Sequence, residues 1–233
     1  MKTCHLPCDP SNCPGCPMLS PSLMGGLSSD PLQHMKNIRR GYQFERGEQL
    51  PTEIEGSAGF HIVRQGKIKI SFGEPKARVV RIDGPGSLTG LTEANFGGSQ
   101  MHAIESTHTC FFPMDEVSKV ALRSTRLFKN ITDCLSKSLQ SSNGQIYSLS
   151  KTSAKARIAD LLCRLQKDFG VESPFGSKID VHVDRRTLAD MAGTAVESLS
   201  RTITEFENDG ILRREGWTLH IVDSTALNRW ANS

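Results

Sequence analysis

No stretch of the chain reads as a membrane span or a secretory leader. No apolar run approaches the ~18 residues that a bilayer crossing needs. The opening segment, MKTCHLPCDPSNCPGCPM, breaks every apolar pair with proline or a polar residue, where a signal peptide needs roughly 7–15 apolar residues in a row. The chain is therefore expected to be cytoplasmic, without a membrane partner. An excess of either charge is missing too. Net charge is +3 over 233 residues, and residues 151–233 carry equal numbers of acidic and basic side chains. Bulk charge announces no nucleic acid, so any such partner has to be read from local arrangement. Enzyme signatures are absent as well. No nucleophile–base pair, phosphate loop or carboxylate pair stands out, and the chain reads as a non-enzyme.

Cysteine, by contrast, is concentrated. Cys4, Cys8, Cys13 and Cys16 fall within the first 17 residues, interleaved with four prolines. In a reducing compartment clustered thiols hold metal more often than they form disulfides. The spacing is C-x3-C-x4-C-x2-C. Structural zinc sites usually separate two close pairs by a dozen residues or more, whereas a cubane iron–sulfur cluster takes thiolates from one short, looping run. Pro14 and Gly15 suit a turn that aims Cys13 and Cys16 at one centre, and the other prolines keep the arm out of a helix. Taken alone, these residues specify a soft-metal site that favours iron–sulfur and leaves zinc open.

From Ile38 to Phe112 short alternating runs are punctuated by turns. FHIVRQGKIKISF reads as two strands broken at Gln65-Gly66, ARVVRIDGPGSLTGL as a strand and a glycine-rich turn, and MHAIESTHTCFFPM as two more strands. This pattern predicts a small antiparallel barrel or sandwich. The period then changes. Pro113, Asp115 and Glu116 open a short helix, and a longer one is expected from Thr125 to Ser150. Leu127, Ile131, Cys134, Ser138, Ser141 or Ser142, Gln145 and Leu149 approximate a heptad seam that turns polar through SLQSSNGQ. Such a seam suits conditional association of two copies, and equally a helix packed on its own barrel. In SAKARIADLLCRLQKDFG, residues Ile158, Leu161, Leu162, Leu165 and Phe169 form one apolar face. Cys134 and Cys163 lie on these apolar faces and read as small buried hydrophobes.

The most informative stretch is DRRTLADMAGTAVESLSRTITEFENDGILRREGWTLHIV. A helix over Thr187–Ala192, a tight Gly193-Thr194-Ala195 turn and a second helix from Val196 to Asn208 predict a helix-turn-helix, with the small Ala189 permitting a close crossing. Val196, Leu199, Ile203 and Phe206 have core spacing; Val196, in the first turn, also belongs with the DNA-facing candidates. Glu197, Ser200 and Arg201 are spaced i, i+3, i+4 and project together from another face. Arginine pairs bidentately with guanine, glutamate accepts from cytosine N4, and serine bonds either edge. The N-terminal residues of a recognition helix meet the major groove. An ion pair between Glu197 and Arg201 is the plain alternative. ILRREGWTLHIV then reads as a wing hairpin turning at Glu215-Gly216.

AVESLSR, preceded by TLADMAG and followed by ITEFENDGIL, resembles the winged helix-turn-helix of the Crp/Fnr regulators, and its E-x-x-S-R pattern resembles the Fnr-type members. RGEQL, FHIVRQGKIKI and GPGSLTGL resemble strands of the family's sensory barrel. The resemblance implies an α+β fold. Its parts are an N-terminal antiparallel β-barrel (a jelly roll like that of cyclic-nucleotide-binding domains), a long dimerisation helix and a C-terminal winged helix-turn-helix. The expected divisions are a cysteine arm over 1–20, a barrel over 21–112, helices over 113–150 and a DNA-binding domain over 151–233. The resemblance also implies an oxygen-labile 4Fe–4S cluster held by three arm cysteines and one barrel cysteine, homodimerisation, double-stranded DNA of the inverted TTGAT…ATCAA type, and RNA polymerase as partner. Cys110 stands at the matching barrel position. The usual Fnr arm is spaced C-x2-C-x5-C, so this one departs from it. Cys8, Cys13, Cys16 and Cys110 are the expected ligands, with Cys4 as the alternate because its position nearest the free end costs most chain entropy to order.

The same superfamily contains cyclic-nucleotide sensors, whose sites resemble G-E-L followed by R-[ST]-A. Here Ser99-Gln100-Met101 falls near the second motif, no arginine is offered to a cyclic phosphate, and no cyclic nucleotide is expected. A haem-based sensor would need axial ligands, and His5, His61, His102 and His108 read more simply as surface or core histidines. A zinc–thiol redox sensor and an iron–sulfur electron-transfer protein are the remaining alternatives. The last has no use for Glu197, Ser200 and Arg201 on a recognition helix.

Overall fold

The computed structural model describes residues 23–73, 75–93 and 98–233, together with the backbone of residues 2–3. These fall into two compact units. One runs to residue 140 without 78–80, and the other comprises 141–233 with 78–80.

The first unit is a half-barrel of two antiparallel sheets. Its larger sheet has six strands in the order β1 (Lys2–Thr3), β2 (Arg40–Phe44), β9 (Thr107–Pro113), β4 (Ser57–Gln65) and β3 (Glu53–Ile54), with β7 (Leu88–Thr89) also paired to β4. The smaller sheet has the order β6 (Arg78–Asp83), β5 (Ile68–Phe72) and β8 (Ser99–Ala103). The β4–β5 turn needs glycine. Gly66 has φ +84°, and a Cβ there would lie 2.5 Å from Thr107 Oγ1 and 2.6 Å from the Ser106 carbonyl.

Alternation along the two central strands sorts their side chains onto two faces. Phe60 and Ile62 of β4 and Cys110 and Phe112 of β9 share a core with Leu23, Met24, Met35 of α1 (Ser29–Ile38), Val117 and Val120 of α2 (Met114–Ala121), and Leu127. Residues of opposite parity, His61 and Phe111, pack with Phe44 instead, at ring-centroid distances of 5.1 Å and 5.8 Å from His61. The sheet is buried on both faces, with helices over the Cys110 side.

Helix α3 (Thr125–Ser150) has the expected bounds, but the seam does not run where the sequence reading put it. Leu127 is fully buried, and Ile131, Cys134 and Ser138 are half-buried. That row faces the helix's own chain. The open row is one residue over at its start and rejoins the expected seam at Ser142 and Leu149: Phe128, Thr132, Leu135, Leu139, Ser142, Ile146 and Leu149, spaced alternately by four and three. Its apolar members stay strongly exposed, Phe128 at 63 %, Leu139 at 62 % and Ile146 at 66 %. Cys134 and Cys163 are half-buried rather than buried.

The second unit contains α4 (Ala154–Phe169), α5 (Arg185–Met191), α6 (Val196–Asn208) and α7 (Ser224–Ala231) around a four-stranded sheet. The sheet order is β10 (Gly170–Ser173), β11 (Gly176–Ile179), β13 (Thr218–Ile221), β12 (Leu212–Glu215). Ile158, Leu161, Leu162, Leu165, Leu199 and Phe206 are buried. Lys155 lies over the Trp230 ring at 4.0 Å and pairs with Glu205 at 2.9 Å, its aliphatic stem covering aromatic surface while its charge is matched. Glu215 pairs with Thr218, so the wing turns at Gly216-Trp217, one residue later than expected. Gly216 takes φ +59°, a conformation that favours glycine in a two-residue hairpin turn.

Candidate nucleic-acid interface and thiol site

The helix-turn-helix is fixed by one cap and one clamp, both on α5. Asp184 accepts the Thr187 amide at 2.7 Å, so α5 begins at Arg185, two residues ahead of the expected start. At its other end Arg157 of α4 donates to the carbonyls of Ala192 (3.0 Å), Gly193 (3.2 Å) and Lys151 (2.8 Å). A guanidinium thus neutralises the carbonyl-rich end of α5 and fixes the turn, where Gly193 has φ +58°. Nothing local in the sequence marks this clamp, because its partners are some 35 residues apart.

On α6, Leu199, Thr202, Ile203 and Phe206 are buried. Glu197 and Arg201 are exposed and Ser200 is half-exposed, so the three predicted base readers lie together on the open face. Val196 is 36 % exposed. It does not enter the core and stands with the outward set. Among the described residues Glu197 and Arg201 form no ion pair, which leaves both carboxylate and guanidinium available to a ligand. The wing adds Arg213, whose guanidinium stacks on Phe175 at 3.6 Å, and Arg214, paired with Glu207 at 3.1 Å. Trp217 at the wing tip is 75 % exposed. A groove of about 540 Å³ runs among α5, α6 and the wing, lined by Leu188, Ile203, Leu219, Arg185, Arg214 and Trp217.

Of the predicted thiol ligands only Cys110 is among the described residues; Cys4, Cys8, Cys13 and Cys16 lie outside them. Cys110 is 1 % exposed, on the helix-covered face of the sheet, in the same core as Leu23 and Met24. That segment is tied down from α3. Asn130 donates its side-chain amide to the carbonyls of Leu23 and Gly25, both at 2.9 Å, and Arg126 Nε donates to Gly25 at 3.2 Å. Among the described residues no group of three or more His, Cys, Asp or Glu is placed to hold a metal ion. Cys134 and Cys163 are shifted away from thiolate character, chiefly by burial; the Cys163 thiol is pushed up to about 11.

His61 is fully buried, with Nε2 donating to the Pro51 carbonyl at 2.9 Å. Nδ1 therefore accepts from the Thr109 hydroxyl at 2.9 Å. Burial holds its pKa down at about 4, so it is a neutral core histidine with both nitrogens used. Arg81 of β6 is likewise engaged. It reaches Asp83 (2.8 and 3.1 Å), Glu93 (2.9 Å) and Ser138 Oγ (3.3 Å), while Glu93 also accepts the Gly90 amide at 2.8 Å. Burial drives the Asp83 carboxyl upward against the pull of Arg81. Two internal carboxylates thus occupy the guanidinium.

Comparison with known proteins gives a consistent picture. A family model for the Crp-like helix-turn-helix domain matches residues 156–230. The transcriptional activator protein Anr of Pseudomonas protegens is 26 % identical over 225 residues, covering 93 % of this chain and 91 % of the relative. Electron transport regulator A of Shewanella oneidensis is 24 % identical, over 88 % of this chain and 81 % of its own length. Among solved structures, FixK2 from Bradyrhizobium japonicum superposes with a TM-score of 0.72 at 16 % identity, over 83 % of this chain and 97 % of that one. A CooA mutant from Carboxydothermus hydrogenoformans gives 0.69 at 20 % identity, over 84 % and 88 %. With the half-barrel, the long helix and the recognition helix in place, residues 156–230 form a Crp-like helix-turn-helix domain, and the chain as a whole is similar to Fnr-like transcription regulators of the Crp/Fnr family.

Proposed function

We propose that this regulator responds to oxygen or redox state through a 4Fe–4S cluster held by Cys110 and three cysteines of the arm, and that it binds inverted TTGAT…ATCAA sites as a homodimer. The observation that supports the cluster reading most is the place of Cys110. It shares one packed core with Leu23 and Met24, the residues through which the arm reaches the described structure. Cys16 is seven residues ahead of Leu23, a span of at most about 24 Å, so an arm thiolate is within reach of the Cys110 wall. A run of soft thiolate donors suits iron–sulfur chemistry. The expected ligands are Cys8, Cys13, Cys16 and Cys110. Cys4 is the alternate.

When bound, such a cluster supplies iron sites that bind thiolates and are dismantled by oxygen, as in the Fnr regulators that this chain resembles. The protein's own part is mechanical. Asn130 and Arg126 of α3 grip the Leu23–Gly25 backbone, so ordering of the arm is felt at the helix. The open row of α3 then meets a second copy, since a heptad-spaced apolar strip is self-complementary about a two-fold axis. Two recognition helices so related would enter successive major grooves about one turn apart. RNA polymerase is the partner such a regulator addresses, in the cytoplasm. Arg81 is held by Asp83 and Glu93, which is in keeping with the expectation that no cyclic nucleotide is bound.

The test is anaerobic isolation followed by an iron and sulfide assay and binding to TTGAT…ATCAA duplexes before and after exposure to air. About four irons per chain, with DNA binding lost in air, is the expected result. Zinc as the only stoichiometric metal overturns the cluster reading.

A further inference from the structure

We infer that Arg185 is a positioning residue for base reading: it fixes the direction of the Ser200 hydroxyl, so that Ser200 acts as a hydrogen-bond donor to DNA and discriminates against cytosine. This rests on the proposed major-groove reading by α6. It begins from one bond between the two helices of the motif: Arg185 Nη1 donates to Ser200 Oγ at 3.0 Å. Arg185 is the first residue of α5, and the Asp184 cap at 2.7 Å holds its backbone. Ser200 is one turn into α6, and its carbonyl accepts from Thr204 Oγ1 at 3.1 Å. Both ends of the bond are therefore carried on defined backbone.

The consequence follows from the valence of a hydroxyl. A serine oxygen has one proton and two lone pairs. An unconstrained serine can rotate to donate or accept, and so reads either edge of a base. The guanidinium has only donors, and it takes one lone pair of Ser200. The hydroxyl proton is thereby turned away from Arg185, and the neighbouring positive charge strengthens it as a donor. Ser200 is left with its O–H and one lone pair, the first strengthened and the second weakened by the neighbouring charge. In the major groove the O–H suits thymine O4, adenine N7 and guanine O6 or N7, whereas the N4 amino group of cytosine has only the weakened acceptor to meet. The arrangement thus biases an otherwise indifferent serine toward donation.

Arg185 is exposed and also lines the groove beside the wing, so the competing role is a simple phosphate contact. The two roles separate experimentally. Full-length protein, isolated anaerobically, is titrated with inverted-repeat duplexes in which each pair of the half-site is varied through all four bases. Ser200→Ala identifies the pair that Ser200 reads, by loss of a preference of about fivefold, the worth of one hydrogen bond. Arg185→Met is expected to flatten the same pair and no other, with most of the change coming from improved binding of the cytosine duplex. The double variant should be no flatter than either single one. Arg185→Lys keeps the charge but not the fixed fork; it should keep the salt dependence of the wild type while losing the preference.

An Arg185→Met protein that binds all duplexes more weakly by one common factor, with a shallower salt slope restored by lysine, overturns the inference in favour of a phosphate clamp. Unchanged selectivity in both Arg185 variants overturns it too. Failure of the parent reading shows earlier and differently: the wild type would bind scrambled and inverted-repeat duplexes alike.

Discussion

Replacing Ser142 with leucine is expected to make the protein dimerise in air, and replacing Ser138 is not. Ser142 lies on the open row of α3 between Leu139 and Ile146, which are 62 % and 66 % exposed. A leucine there, covered by a second copy, gains about 1.5–3 kcal/mol over one left in water. A two-fold dimer counts it twice, giving about 3–6 kcal/mol, or roughly 10²–10⁴ in the dimer dissociation constant. Side-chain ordering and imperfect fit place the expectation near the lower end. Ser138 is on the other row, half-buried, with its hydroxyl accepting from Arg81 Nη1 at 3.3 Å. Leucine there removes the acceptor and strands a buried guanidinium N–H at a cost of about 1–3 kcal/mol in fold stability. Sedimentation velocity of wild type, Ser142→Leu and Ser138→Leu over a concentration series in air decides the matter. Dimers in Ser138→Leu but not in Ser142→Leu would refute the assignment of the open row.

Three other outcomes follow from individual side chains. His61 titrates near 4 in the fold against about 6.5 unfolded, so between those values the unfolded chain binds a proton that the folded one refuses. Stability should be flat above pH 6.5 and fall by up to about 3 kcal/mol on going down to pH 4; urea melts at pH 7.5 and 4.5 check this, and an equal loss in His61→Gln would count against it. Arg201→Ala should cost roughly 1–3 kcal/mol on a site with the half-site G·C pair and far less once that pair is A·T; equal weakening of both would mean that Arg201 only positions the helix. Cys110→Ser should lower anaerobic iron content, whereas Cys134→Ser and Cys163→Ser, which replace thiols held protonated by burial, should leave it unchanged in the same assay.

Much of the architecture was legible from local pattern. Helix α6 spans Val196–Asn208 and α3 spans Thr125–Ser150 as read from periodicity, and β4 and β5 part at Gly66, where glycine takes φ +84°. Placing Glu197, Ser200 and Arg201 on one open face needed only the helical repeat of 3.6 residues. Helices α1 and α7 and the β10–β11 hairpin were not anticipated, since their apolar positions are few and their stability comes from packing rather than from their own pattern.

The sequence by itself determined the order of elements, the shared face of Glu197, Ser200 and Arg201 and the concentration of thiols, because each is a matter of residue type at short spacing. Only the tertiary structure decided which row of α3 is open. Leu127, Ile131 and Cys134 form one apolar row and Phe128, Leu135 and Leu139 the next, about 100° around the same helix. Periodicity gives the repeat but not its phase; the phase was set when Leu127 was drawn into the core with Cys110 and Phe112. The same holds for Arg157 on the Ala192 and Gly193 carbonyls, Asn130 on Leu23 and Gly25, and Arg185 on Ser200. Each joins groups far apart in the chain, and a hydrogen bond depends on distance and angle in space, which no local run of residues encodes.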